Sequence, residues 1–456
     1  MNKAVDTRHP HAHAGGWVPR DQAHVARWVQ RLRQAVTRQP RPLVAPIAGL
    51  KALVEQDPLL HQQAQGMFDE AWQHEHSTPL GQVQVRSFDE FLQLLNGIMT
   101  TAPEAYQDVQ TQEPAGLIGF PINALLNWPM ATAAGYDFFA NALVNQQLRK
   151  ILGYWADFLQ SPASRYVLTE SVSPLDRQTL IVPWLGDVAK REMVKVAQGA
   201  LGAGDNPTPE RFEGIFHTVP GEEYEGFASW DDFFTRRFCP GVRPVTAPDD
   251  DSVIANACES APLQVVTGVR RQDAFWLKGQ PYSLDNLLDF DPRAAAFEGG
   301  TLYQAFLSAL SYHRWHSPVS GTVRSVKVVN GSYYLANRHQ GFDSPAGPDP
   351  SAPNQSQPFL TAVATRALIF IEADNPKIGL MCVVPVGMAE VSSCEVTVQP
   401  GQRIAKGEQL GMFHFGGSTH CLLFRPGVEL AFDFYGQQPG LEATNLRINT
   451  ALARVE

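Results

Sequence analysis

The hydrophobic pattern divides the chain in two. Residues 21–38 place Val25, Trp28, Val29, Leu32 and Val36 at helical spacing, with Arg27, Arg31 and Arg33 on the other face. This predicts a basic amphipathic helix that packs on its own domain or lies on a membrane surface. Helical spacing continues through 50–74 and 87–101, where Ser87 and Glu90 match a capping box. Residues 137–160 predict the longest helix, ended by Ser161-Pro162. Residues 20–200 therefore read as mostly α. After SWDDFFTRRF (229–238) the pattern changes, and from about 250 short β-branched and aromatic runs alternate with Gly, Pro and Asn turns. The expected organisation is a disordered lead at 1–20, a helical domain at 21–200, a linker at 201–228 and a β-rich domain at 229–456. The fold class is α+β. Residues 344–358 carry no core-forming side chains and read as a loop.

Composition narrows the function. Apolar residues make up 44% and charged residues 18% of the 456, which is globular. A net charge of −10 argues against nucleic acid, whose phosphates need clustered Lys and Arg. The five cysteines are odd in number and show no CxxC spacing. That points away from a disulfide framework or zinc and toward a reducing, cytoplasmic compartment. The first seventeen residues lack the apolar core of a signal peptide. The most apolar early run, 116–135, is broken by Pro121, Asn123, Asn127 and Pro129 and falls short of the ~20 apolar residues of a membrane span.

Three short stretches could carry chemistry. In SYHRWHSPVSG (311–321), His313 and His316 flank Arg314 in a polar island between strands. No third ligand lies nearby, so no metal is expected. Gly416-Gly417-Ser418-Thr419 interrupts a strand-like run. A serine needs a base to become a nucleophile, and the island supplies two histidines. The spacing is not the GxSxG elbow, and a glycine-rich β-turn is the plainer reading. Glu259, in NACES (256–260), is an acid that could orient a histidine or simply be solvated. A fourth stretch, VTVQPGQRIAKGEQLGMF (396–413), resembles the barrel hairpins of lipoyl and biotinyl carrier domains but has no lysine at the expected tip.

In order along the chain, FFTRRFCPGVRPV, LKGQPYSLDNLL, FLSALSYHRWHSP, GTVRSVKVVNGSYYLAN and KGEQLGMFHFGGSTHCLLFRPG resemble the phosphatidylserine decarboxylase family of pyruvoyl enzymes. SFDEFLQLLNGIMTTAPE, GLIGFPINALLNWPMATAAG and FFANALVNQQLRKILGYWADFLQSPASRYVL are similar to the helical domain of that family's soluble tryptophan-decarboxylase-like branch. The resemblance spans residues 15–450. It implies a barrel-sandwich-like catalytic domain and a lyase that begins as a zymogen. Ser418 Oγ would attack the Gly417 carbonyl, giving a β chain, 1–417, and an α chain, 418–456, of 456 − 417 = 39 residues. Ser418 would become a pyruvoyl group, forming a Schiff base with the substrate amine and acting as electron sink.

The resemblance makes His316 the base for Ser418 and gives His313 a part in decarboxylation, as proton donor. Thr419 and nearby backbone N–H groups would stabilise the oxyanion. The sequence departs from the family in two places. Gly416 stands where the family has a leucine, and the PxDG aspartate is replaced within NACES by Cys258 or Glu259, of which Glu259 is preferred. The expected substrate is a free amino acid, aromatic and tryptophan-like. The alternatives are phosphatidylserine, with membrane contact through 21–38, and an uncleaved β-barrel binding module. Trp276, Tyr282 and Phe306 could stack on an aromatic substrate or could simply be core.

Overall fold

Amphipathic periodicity becomes helix wherever one apolar face finds a core. The computed structural model describes residues 22–74, 85–169, 172–204, 207–272, 282–337, 342, 356–390 and 393–456. The lead at 1–20, Trp276 and most of the 344–358 insert lie outside them. The chain forms two compact units: 1–189 with 227–230 and 332–357, and 190–226 with 231–331 and 358–456. The segments 227–230 and 332–357 thus belong with the helical part, against chain order.

In the first unit, α1 (Gln22–Arg38) buries Val25, Val29 and Leu32. Its basic face is taken up by acids of the same unit: Arg27 pairs with Asp176 at 2.6 Å, Arg31 with Glu104 at 3.1 Å and Arg33 with Glu90 at 2.6 Å. Next come α2 (Ala45–Gln56), α3 (Pro58–Gln73) and α4 (Phe88–Ile98). Asp57 ends α2 and caps α3, its carboxylate accepting from Leu59 and Leu60 N–H. Ser87 caps α4 by accepting from Glu90 N–H at 3.2 Å. The Glu90 carboxylate reaches back to Arg86 N–H at 2.8 Å, one residue before the position a capping box would use.

The helix expected over 137–160 is two helices. After α5 (Pro121–Leu126), α6 (Ala133–Ala140) stops and α7 (Ala142–Leu159) restarts at Asn141, whose side chain accepts from Leu143 and Val144 N–H. The region is also less purely α than expected. Among the described residues, β1 (Ala105–Asp108), β2 (Pro114–Leu117), β3 (Ser173–Pro174) and β4 (Thr179–Val182) form a sheet in the order β2-β1-β4-β3.

The second unit carries the site. Its strands are β5 (Val253–Ala255), β6 (Ala261–Thr267), β7 (Thr301–Leu307), β8 (Arg314–His316), β9 (Gly321–Val329), β10 (Arg366–Ala373) and β11 (Leu380–Met388). They continue with β12 (Cys394–Val396), β13 (Arg403–Ile404), β14 (Gln409–Phe413), β15 (Gly417–Phe424), β16 (Leu430–Phe432) and β17 (Ala451–Val455). Among the described residues they form a seven-stranded sheet, β13-β9-β10-β11-β15-β7-β6, and two three-stranded sheets, β12-β14-β8 and β16-β17-β5. The α+β organisation is as expected, a helical N-terminal region followed by β-rich sheets, and among the described residues these sheets are not closed barrels. Stretch 396–413 gives short strands in two sheets rather than one carrier-like hairpin. The 201–228 stretch is not a bare linker either, since Phe212, Ile215 and Phe216 are buried in it.

The core between these sheets is apolar and close-packed, with Trp315, Phe413, Tyr303, Leu422 and Ile369 fully buried. Gly411 on β14 lies against the Trp315 ring, where an added Cβ would sit 2.6 Å from a ring carbon and 2.2 Å from the Glu395 carbonyl oxygen. Gly411→Ala should therefore destabilise the second unit by about 1–3 kcal/mol, measured by denaturant unfolding. An unchanged midpoint would mean that β12 and β14 yield at no cost.

Candidate active site

Ser418 sits near the start of β15, in the interior of the seven-stranded sheet. It lies opposite Gly387 on β11 and Leu307 on β7. It is fully buried, and its Oγ has no hydrogen-bond partner among the described residues. Gly416, two residues before it, has φ +134°, a conformation that side-chain-bearing residues rarely adopt. The glycine pair is therefore not an ordinary turn: it lets the chain enter a fully paired central strand beside an unpaired hydroxyl. Thr419 is occupied. Its hydroxyl donates to the Ala305 carbonyl at 2.8 Å and accepts from Gln304 Nε2 at 3.1 Å. With its one proton donated to that carbonyl, Thr419 Oγ1 has none left to offer an oxyanion.

Gln304 also bonds Tyr282, which bonds Gln264. Tyr282 is thus a buried member of a polar chain rather than an open stacking surface, and Phe306 is buried opposite Thr419.

His313 lies just before β8. Its carbonyl accepts from Phe413 N–H at 2.9 Å, which ties it to the end of β14, five residues before Ser418. Its ring stacks on Phe234 at 4.1 Å, and Phe234 meets Phe415 edge-on at 5.4 Å. Burial pushes its pKa well below the ordinary 6.5, and the Arg236 guanidinium adds to the shift. Arg236 is itself buried, held by the Leu310 carbonyl at 2.5 Å and lying over Phe216.

His316 uses both ring nitrogens. Nδ1 faces Asn449 Oδ1 at 3.2 Å, and Nε2 faces the Tyr312 hydroxyl at 3.2 Å. Asn449 Nδ2 donates to the Arg243 carbonyl at 3.1 Å, which fixes the amide with its oxygen toward the ring. Nδ1 therefore carries the proton and Nε2 the lone pair. Burial lowers this pKa to about 4, with the Asn449 contact opposing.

Glu259 does not take the place expected for it. Its carboxylate receives Arg243 Nε at 3.1 Å and Nη2 at 2.6 Å, and Ile448 N–H at 2.7 Å. A buried carboxylate so enclosed is committed to its cation, and the group that holds Nδ1 of His316 is the neutral amide of Asn449. Sequence reasoning passed over Asn449. Its one local mark is a positive φ of +66°, which the sequence does not display. His414 was passed over as well. Burial lowers its pKa, but Asp231 at 2.9 Å and Glu395 at 2.8 Å outweigh that and raise it.

The second unit thus holds a buried serine behind two glycines on β15, an aromatic-clad histidine just before β8 and a second histidine held in one tautomer at the end of β8, with no hydrogen bond between the serine hydroxyl and either ring. Comparison with known proteins gives the class and then the family. Models described as phosphatidylserine decarboxylase match residues 230–439 and 44–193. The chain belongs to this family, and it is a decarboxylase. It is 38% identical to decarboxylase iboD of Amanita muscaria over 79% of this chain and 99% of that protein. It is 34% identical to an L-tryptophan decarboxylase of Psilocybe cubensis over 91% of this chain and 87% of that protein. Phosphatidylserine decarboxylase proenzyme 3 of Schizosaccharomyces pombe is 29% identical over 44% of this chain and 19% of that protein. Among the described residues no helix is long and apolar enough to cross a membrane.

Two outcomes follow from these contacts. Arg243→Met leaves Glu259 charged and buried, which should cost about 3–5 kcal/mol in denaturant unfolding. His316 is held below its ordinary 6.5, so its contribution to stability is complete above that value and is lost as pH falls toward 4. The melting temperature should drop across that window and drop less in His316→Gln. A flat profile would show that the ring is not buried as a neutral group.

Proposed function

We propose that this chain is a proenzyme that cuts itself between Gly417 and Ser418 and then decarboxylates a free aromatic amino acid, of which tryptophan is the model. The observation that carries the reading is the buried, unpartnered Ser418 Oγ directly after Gly416 and Gly417 in a chain of this family. The residues fit the group the family implies. Gly417 brings no Cβ to the attacked carbonyl, and Ser418 Oγ is tied to no other partner.

In self-cleavage, Ser418 Oγ adds to the Gly417 carbonyl carbon and its proton passes to Nε2 of His316, which first lets go of the Tyr312 hydroxyl. The Gly417–Ser418 C–N bond breaks as the nitrogen takes that proton, leaving an ester. Loss of the α-proton of residue 418 then expels the Gly417 carboxylate. Water releases ammonia, and residue 418 ends as a pyruvoyl group. When bound to the substrate amine, that group supplies an electron sink for loss of CO2. His316 acts through the lone pair on Nε2, and Asn449 holds the tautomer that exposes it. His313 carries a proton to the substrate α-carbon after CO2 departs.

Two observations support an amino acid over a lipid. The L-tryptophan decarboxylases align across both units, whereas the phosphatidylserine decarboxylase proenzyme of Schizosaccharomyces pombe aligns with 44% of the chain. The arginines of α1, the feature that suggested a membrane, are paired with acids of their own unit.

Denaturing intact mass is the first test. The wild type should give chains of 417 and 39 residues, while Ser418→Ala stays whole at 50.2 kDa and makes no amine. His316→Ala should also stay whole. His313→Ala should cleave yet lose about 10²–10⁴-fold in turnover. Asn449→Ala should slow cleavage, and Asn449→Asp should preserve it. A wild type that stays whole would favour the non-enzymatic binding module. Amine formed from phosphatidylserine vesicles but from no free amino acid would favour the lipid reading.

A further inference from the structure

Ser418 is not alone on its face of the sheet. β15 pairs with β11 and β7 without a bulge, setting His420 opposite Pro385 and Ala305, and Leu422 opposite Val383 and Tyr303. Alternate residues of a strand share a face, so Ser418 and His420 point the same way, about 7 Å apart along the strand. His420 is fully buried, and neither ring nitrogen has a hydrogen-bond partner among the described residues. The Tyr303 ring meets it edge-on at 5.9 Å, and the Tyr303 hydroxyl is unpartnered among the described residues as well. The nearby Ala305 carbonyl accepts the Thr419 hydroxyl at 2.8 Å and opposes the fall in the imidazole's pKa, without reaching hydrogen-bond geometry with either ring nitrogen.

A buried imidazole with two unmet positions is a costly choice where a leucine would fill the same space. Burial pushes it down to about 3, so at neutral pH it is uncharged, with one N–H to give and one lone pair. Its neighbours on this face, Ala305, Leu307 and Leu422, are apolar.

We infer that His420 is a substrate-contacting residue, whose ring N–H holds the carboxylate of the α-amino acid bound at residue 418. The inference rests on the reading that residue 418 carries the reacting group. The separation suits it: a substrate joined to residue 418 through its amine presents its carboxylate within a few ångströms along the strand. The neutrality suits it too. A cation would stabilise the carboxylate most before the reaction, when its charge is whole, and so oppose loss of CO2. An uncharged donor orients the carboxylate with little such penalty. Tyr303, next along the face, meets the ring edge-on.

The test compares wild type with His420→Leu and His420→Gln in the full chain. Both variants should cleave as the wild type does, by denaturing mass. His420→Leu should melt at the same or a higher temperature, because it removes unmet polar atoms. Its KM for the amino acid should rise about tenfold or more, and His420→Gln, which keeps an N–H, should recover much of that loss. The product amine, which has no carboxylate, should inhibit wild type and His420→Leu equally. An unchanged KM in His420→Leu overturns the inference, as does an equal loss of amine binding. If His420→Leu fails to fold, His420→Phe, which keeps a ring without an N–H, decides: a KM raised about tenfold with unchanged amine inhibition supports the contact, and an unchanged KM or equal weakening of both refutes it. A wild-type chain that never cleaves removes the underlying reading, and the mass spectrum tells that failure from this one.

Discussion

The second unit is organised around one buried ion pair, Arg243 with Glu259. Both side chains are almost wholly removed from water, so every remaining donor and acceptor must be met. Arg243 also reaches the Thr208 hydroxyl and the Ala197 carbonyl, and Glu259 takes the backbone N–H of Ile448. The Arg243 carbonyl holds the Asn449 amide. The pair thus grips residues 448–449 from two sides, and Asn449 passes that constraint to the His316 ring. A buried pair is a weak source of stability against an apolar substitute, but it specifies position well. Here what it specifies is one tautomer of one histidine.

Much of this was legible in the sequence, for physical reasons that are local. Periodicity gives α1 and α4, Ser87 gives a cap, and the change of pattern near 230 gives the passage from helices to sheets. The glycine pair before Ser418 is visible as a break in a strand-like run, but the plainer reading as a β-turn gives way to a φ of +134° at Gly416, at the entry to a central strand. What was not legible depends on partners far along the chain. Asn141 looks like any residue in a helical run, yet it caps a new helix. Glu259 looks like a free acid because its cation lies sixteen residues upstream and its amide partner 189 downstream. Asn449 and His420 carry no mark that the sequence displays. The first sits in a polar tail and the second in a strand-like run, and only their surroundings distinguish them.

Electrostatics vary sharply over a few residues. His414 and His420 are six positions apart and are driven in opposite directions. His414 is partly open and lies between two carboxylates, which favour its charge. His420 is sealed among apolar side chains, which forbid it. His313 and His316 are lowered as well, His313 by burial beside the Arg236 guanidinium and the partly buried His316 against the opposing contact with Asn449. The interior therefore offers imidazoles that hold lone pairs at neutral pH, and His414, inclined to hold a proton, stands four residues ahead of Ser418. A short glycine-bearing segment separates the two environments.

The place of β15 has a consequence for reversibility. Residues 418–424 are paired on both sides, and the tail beyond them supplies β16 and β17 and the amides that hold Glu259 and His316. A chain severed at 417/418 would stay together while folded, because the shorter piece is woven through the sheet. Once melted, the pieces would diffuse apart. Reassembly would then be bimolecular and concentration-dependent, and it would require a middle strand to enter a sheet already robbed of it. The native state would be reached once, from the uncut chain, and afterwards kept by the slowness of unfolding rather than by an equilibrium.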